Sequence, residues 1–227
     1  RHRSAGTIDV RSTLRRSHRT GGDPVHLLRR RRTTKPRRIV LVADVSGSME
    51  PYARIYLHLL RGAVRAINAE AFVFATHLTR LTGQLSSMHT EQAYAKAAAA
   101  ANDWSGGTRI GVSLKSFIDR YGRRGMARGA VVVIVSDGWE SDRPEFLSDA
   151  MAQLGRLAHH IIWVNPRKAA ESFEPLTGGM AVALPHVDTF LSGHSLRALN
   201  DVMAAIAAAG DRVDRGTLDR ARITGAA

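Results

Sequence analysis

Cysteine is missing from all 227 residues, so disulfide bonds, thiolate zinc sites and cysteine nucleophiles are excluded at once. That absence leaves the redox compartment open, with the cytoplasm as the expected location. Aromatic residues are scarce, at 6%, and none lies in the first 38 positions. Nowhere does the chain reach the ~20 consecutive apolar residues that a membrane-spanning helix needs, and no charged-then-apolar leader is read at its start. Because the first residue is Arg1 rather than Met, the expectation is a fragment of a longer chain or a processed one. Acidic residues are also few, 20 against 33 Lys and Arg.

What is present is apolar content of 44%, enough for one sizeable α/β core with appendages and too little length to argue for two domains. The formal charge of +13 is unevenly spread. Residues 1–38 hold thirteen Arg or Lys against Asp9 and Asp23, a net of +11, which leaves +2 for everything after. The expected division is a basic N-terminal arm over 1–36, a domain over 37–210 and a flexible tail over 211–227. Within the arm, the segment around "DVRSTLRRSHRTGG" reads as a short helix stopped by Gly21 and Gly22, and "VHLLRRRRTTKPRR" reads as extended. The run Arg29, Arg30, Arg31 and Arg32 suits a solvated face or an acidic protein partner. Nucleic acid is the weaker alternative, since no aromatic side chain interleaves the arm to stack on bases.

Past the arm, strands and helices alternate. Ile39 to Ala43 reads as a buried strand, and Tyr52, Ile55, Tyr56, Leu59, Leu60, Val64 and Ile67 recur at helical spacing behind Pro51. "AFVFAT" reads as a strand, "HLTRLTGQL" as a strand or hairpin, and "TEQAYAKAAAAAND" as an alanine-rich helix. The helix after "WSGGTRIG" should end at Gly122. "AVVVIVSDGWE" opens with a strand so uniformly β-branched that it must be buried on both faces. A helix from Pro144, a strand "HIIWVNP", a last strand "MAVALP" and a last helix "SLRALNDVMAAIAAAG" complete the pattern, with a frayed tail after Gly210. The fold class implied is α/β, Rossmann-like and doubly wound, a mostly parallel sheet with helices on both faces.

In such a sheet, ligands bind beyond the carboxyl ends of the strands, where strand order reverses. Three polar clusters fall at such ends: Asp44, Ser46 and Ser48 in "DVSGSM", Thr108 in "SGGTRIG", and Asp137 in "SDG". A helix cap would explain any one of them, but capping does not require all three to converge. Two carboxylates and three hydroxyls, without imidazole or thiol, suit a small hard cation, and Mg2+ fits best because it keeps waters and takes only one or two carboxylates. Mn2+ is the substitute.

These three motifs, in this order and spacing, resemble the metal-ion-dependent adhesion site (MIDAS) of von Willebrand factor type A domains over residues 37 to about 210. More narrowly, "RRRRTTKPRRIVLVADVSGSMEPYAR", "WSGGTRIG" and "SDGWE" resemble the CoxE-like group, accessory proteins of carbon monoxide dehydrogenase operons. The resemblance implies that Ser46, Ser48 and Thr108 approach the metal directly, that Asp44 and Asp137 act largely through water, and that an acidic side chain of a partner fills an open position. It also implies that the partners are a MoxR-type AAA+ ATPase and a metalloenzyme client.

Other readings are weaker. "GGTRIGVS" echoes a phosphate-binding loop, but Val112 stands where the lysine would be. His159 and His160 precede a strand and are read as structural. A metal-assisted hydrolase would need a general base, and only Glu140 and Asp142 are at hand; Glu140 is read as solvated. Trp104 and Trp139 flank two of the three loops, where packing is the default role and anchoring a partner the alternative.

Overall fold

The computed structural model describes residues 7–18, 21, 27–86, 91–92, 95, 99, 107–167, 178–210 and 213–217. It divides into two units, one of residues 1–36 with 212–227 and one of residues 37–211.

The smaller unit begins with β1 (Thr7–Ile8) and α1 (Val10–Ser17). Asp9 caps α1 by accepting from Ser12 N at 3.0 Å, and Thr13 Oγ1 accepts from Leu28 N at 3.0 Å, fastening the helix to the returning chain. The run of four arginines lies in β2 (Arg29–Lys35), which pairs antiparallel with β1. Its other neighbour is a strand at Val213–Thr217, with Arg31 opposite Thr217 and Lys35 opposite Val213. Over these five residues the expected fraying gives way to a strand. The sequence signal was weak because "VDRGT" has neither an apolar stripe nor alternation, and backbone pairing alone defines it.

In the larger unit the elements follow as β3 (Ile39–Asp44), a 3-10 turn (Gly47–Met49), α2 (Glu50–Ile67), β4 (Glu70–Phe74), β5 (Leu78–Arg80) and α3 (Thr82–Ser86). Then come α4 (Ile110–Phe117), a π-helical continuation (Ile118–Met126), β6 (Val131–Val135), α5 (Pro144–Gly155) and β7 (His160–Asn165). The unit closes with α6 (Gly178–Ala183), a 3-10 turn (Leu184–His186), β8 (Thr189–Ser192) and α7 (Leu196–Ala209).

The six-stranded sheet has the order β5-β4-β3-β6-β7-β8, parallel throughout except for the β4–β5 hairpin. Alternate side chains of its central strands feed two cores. Leu41, Ala43, Val131, Val133 and Val135 pack on one face with residues of α2 and α7. Val40, Val42, Val132 and Ile134 pack on the other with residues of α4, α5 and α6. Central strands covered on both sides therefore read as unbroken aliphatic runs. Strand order reverses between β3 and β6, and this opens a crevice beyond their carboxyl ends.

Two expected elements differ. "MAVALP" is helical, not the last strand; Met180 and Ala183 are buried one turn apart, and a six-residue apolar run does not declare its period. The last strand is Thr189–Ser192. Nor does the helix stop at Gly122. Ala127 N donates to Gly122 O at 3.3 Å, a five-residue span, and a Cβ on Gly122 would lie 3.3 Å from that of Ala127. The glycine keeps this close contact relaxed, and the turn is made at Gly125, with φ of 108°. The alanine-rich helix falls for the most part outside the described residues.

Candidate metal centre

Beyond β3, the chain wraps around its own last carboxylate. Asp44 is fully buried; its Oδ1 accepts from Ser46 N at 2.9 Å. Ser46 then leads into the 3-10 turn that starts α2, leaving Ser46 Oγ 3.4 Å from Ser48 Oγ. Ser46 is buried and Ser48 exposed. Both serines thus sit on a short arch over Asp44.

The neighbouring strand supplies the other carboxylate. Ser136 Oγ donates to Asp44 Oδ2 at 2.7 Å and accepts from Gly138 N at 3.0 Å. Asp137 Oδ1 accepts from Trp139 N at 3.2 Å, while Oδ2 is shielded from solvent and has no hydrogen-bond partner. Among the described residues, Arg167 makes an ionic contact with that oxygen, its Nη1 lying 3.7 Å away on an exposed side chain. Asn165 Nδ2 donates to Asp137 O at 3.1 Å, and Asn165 Oδ1 accepts from Arg167 N at 2.8 Å, so the end of β7 braces the loop. Gly138 has φ of 79°, and a Cβ there would overlap Met180 Cγ at 2.3 Å. Only glycine fits.

Thr108 is buried on a third loop that Arg109 N ties to Ala75 O, at the end of β4, with a 3.0 Å bond. Its carbonyl accepts from Ser141 N at 2.9 Å. Gly107, with φ of 69°, lets the two loops touch: a Cβ would lie 2.1 Å from Ser141 Oγ. Hydrogen bonds and ionic contacts therefore gather Asp44, Ser46, Ser48 and Asp137 in the crevice, and backbone bonding joins the loop of Thr108 to the loop that follows Asp137.

Burial chiefly pushes the Asp44 carboxyl up to about 6, the charge of Asp137 adds to this, and the bonds from Ser46 and Ser136 oppose it. Two carboxylates packed together, one oxygen of which has no hydrogen bond, carry a cost that the exposed Arg167 at 3.7 Å offsets only in part. Among the described residues no three His, Asp or Glu side chains assemble into a metal cluster. The donor set is instead two carboxylates and the hydroxyls of Ser46, Ser48 and Thr108, all oxygen, and it fits a small hard cation.

Several residues depart from the sequence reading. Glu140 is not solvated: it is half-buried, with Oε2 accepting from Gly111 N at 2.7 Å in the first turn of α4 and Oε1 accepting from Asp142 N at 3.0 Å. Burial raises its carboxyl above the usual range, although the backbone N–H groups pull the other way. Asp142 is held by Arg109 Nε at 2.7 Å. Trp139 is 59% exposed and is not loop packing; Trp104 lies outside the described residues. Arg29 to Arg32 belong to the smaller unit. Ser136 and Asn165 were overlooked, yet their signal was available, since each is a polar residue closing a run of buried apolar side chains, Val131–Val135 and 161–164.

A mostly parallel sheet whose switch point carries these three loops is the architecture of von Willebrand factor type A domains. A structure titled von Willebrand factor type A from Catenulispora acidiphila is 18% identical, covering 81% of this chain and 44% of that one, with a TM-score of 0.50. Proximal thread matrix protein 1 from the mussel byssus is 12% identical over 82% of this chain and 50% of its own, with a TM-score of 0.53. The pilus adhesin SpaC from Lactobacillus rhamnosus GG is 13% identical over 82% and 34%, with a TM-score of 0.50. The chain thus spans half or less of the length of these structures. The family model described as VWA domain containing CoxE-like protein matches residues 1–199, and the chain belongs to that family. No curated protein matches it.

Proposed function

We propose that this chain is a metal-dependent protein-recognition module, in which Mg2+ or Mn2+ bound at the crevice holds a carboxylate of a partner. Ser46, Ser48 and Thr108 would contact the cation directly, and Asp44 and Asp137 would hold its waters. When bound, the ion supplies positive charge to two buried carboxylates and an open position for a partner's oxygen. The observation that carries the reading is the shielded, unbonded Oδ2 of Asp137 beside the buried Asp44. A native structure rarely leaves such an atom without a ligand.

Hydrolysis is the alternative, and the two carboxylates that could serve as its base are otherwise engaged. Glu140 accepts two backbone N–H bonds, and Asp142 pairs with Arg109. Both are tied to structural donors, which favours a loop-bracing role over that of a base. Nucleic-acid binding through the basic arm is also disfavoured, because no Phe, Tyr or Trp lies within it. No helix among the described residues is long and apolar enough to cross a membrane. By family resemblance the partner is a MoxR-type AAA+ ATPase of the cytoplasm, acting with this chain on a metalloenzyme such as carbon monoxide dehydrogenase.

The test is a pull-down of the ATPase or its client with Mg2+, with chelator, and with Thr108→Val, which keeps the shape and deletes the oxygen. Capture should require both the ion and the hydroxyl. Capture indifferent to chelator would overturn the clamp, and metal-dependent turnover of a phosphoester or peptide abolished by Thr108→Val would make the chain an enzyme.

A further inference from the structure

Helix α2 starts directly after the arch of Ser46 and Ser48, and its outer face is not what an ordinary solvated helix presents. Arg54, His58, Arg61 and Arg65 follow one another at intervals of four, three and four positions, which places all four in a single row along the helix. The row is roughly 16 Å long at 1.5 Å per residue. Glu50, in the first turn, is the one acidic residue of the helix and stands four positions before Arg54; neither Arg61 nor Arg65 has a carboxylate three or four positions away on the helix. Arg54, His58 and Arg65 are exposed. Arg61 is half-buried, and its Nε is shielded without an acceptor, so part of its dehydration cost is already met before any partner arrives.

A second row runs beside the first. Ile55, 47% exposed, is followed by Gly62 and Ala66, also exposed; a Cβ on Gly62 would meet nothing within 4 Å. The face is therefore a ridge of three arginines and His58 bordering a low, partly apolar step, a shape that admits another backbone closely.

We infer that this face of α2 docks an acidic segment of the partner protein, continuous with the carboxylate held at the crevice. The inference rests on the clamp reading of that site and names the chemistry of what it clamps: a segment with carboxylates repeated along one side and a small apolar edge. An anionic membrane fits less well, because the apolar side of α2, with Tyr56, Leu57, Leu60, Ala63 and Val64, is buried in the core and cannot insert. Nucleic acid fits less well because no aromatic side chain stands in either row to stack on a base.

The experiment uses the full chain and a fluorescein-labelled Glu- and Ala-rich peptide of about twelve residues, enough to span the row if helical. Anisotropy is read with Mg2+ and with chelator. Arg54→Glu with Arg65→Glu should weaken peptide binding about tenfold or more, whereas Arg54→Lys with Arg65→Lys should retain it. Arg128→Glu with Arg156→Glu, an equal charge change on exposed residues of other elements, should alter it less than about twofold. Equal losses in the two reversed pairs would mean attraction to net charge alone and would overturn the inference. So would an unchanged affinity in Arg54→Glu with Arg65→Glu, or an effect of that pair confined to single-stranded oligonucleotide or to phosphatidylserine vesicles. If reversal weakens binding while chelator does not, the row stands and the clamp fails; if chelator releases the peptide while reversal does nothing, the clamp stands and the row is overturned.

Discussion

The two ends of the six-stranded sheet are built from the same kinds of residues and treat them differently. At the amino ends of the strands, charged groups close structural bonds: Arg38 Nη1 donates to Gly125 O at 2.9 Å, Arg37 Nη1 to Gly129 O at 3.4 Å, and Asp188 Oδ2 accepts from Ile161 N at 2.7 Å. His160 Nε2 lies 2.8 Å from Thr189 Oγ1, in the structural role its sequence position implied. At the carboxyl ends, Asp44 is buried and raised, Asp137 keeps a shielded oxygen with no hydrogen bond, and two glycines at positive φ hold the loops in contact. The lesson is that incomplete bonding, not polarity as such, separates a site from a seam.

The largest expected effect tests the backbone of that difference. Gly138→Ala forces a side chain onto a left-handed position and into Met180, and should cost about 3 kcal/mol of stability, strain and overpacking together. Gly125→Ala, at the other end, has φ of 108° but open space around the new Cβ, and should cost about 1 kcal/mol. Urea denaturation of both variants gives the comparison; equal losses would erase it.

Next is pH in the metal-free protein. The folded state holds the Asp44 proton up to about 6, against 3.8 for an ordinary aspartate. Its contribution is complete below the lower value and is lost as pH rises through the upper one, a fall of up to about 3 kcal/mol. Asp44→Asn should flatten that slope between pH 4 and pH 6. A slope unchanged by Asp44→Asn would assign the titration elsewhere.

The smallest effect concerns Arg167, which lies 3.7 Å from Asp137. Because its side chain is mostly exposed, Arg167→Gln should cost the metal-free protein only about 0.5 kcal/mol, while increasing the stabilisation by Mg2+ as a competing charge is removed. Thermal melts with and without the ion read both numbers.

How much of this was legible in the sequence varies with the physics behind each feature. The central strands were readable because burial on both faces leaves an unbroken aliphatic run, as in Val131–Val135. The site loops were readable because Asp44 and Asp137 break off the aliphatic runs of β3 and β6, while Thr108 stands in a glycine-rich loop just before α4. "MAVALP" was not, since six apolar residues fit a helix and a strand equally well. Glu140 was misread because its partner, Gly111 N, lies 29 positions away, and a backbone donor leaves no trace in a sequence. The strand at Val213–Thr217 escaped for a related reason: its definition resides in the strand it pairs with.

One measurement bears most directly on the central claim, that the carboxyl end of the sheet is a divalent-metal site. Mg2+ titrated into the full chain should raise its melting temperature, by about 2.7 kcal/mol of stabilisation at a hundredfold excess over Kd, and Asp137→Asn and Thr108→Val should each abolish most of that rise while folding normally. An absent rise in the native chain, or the same rise in all three proteins, would contradict the account.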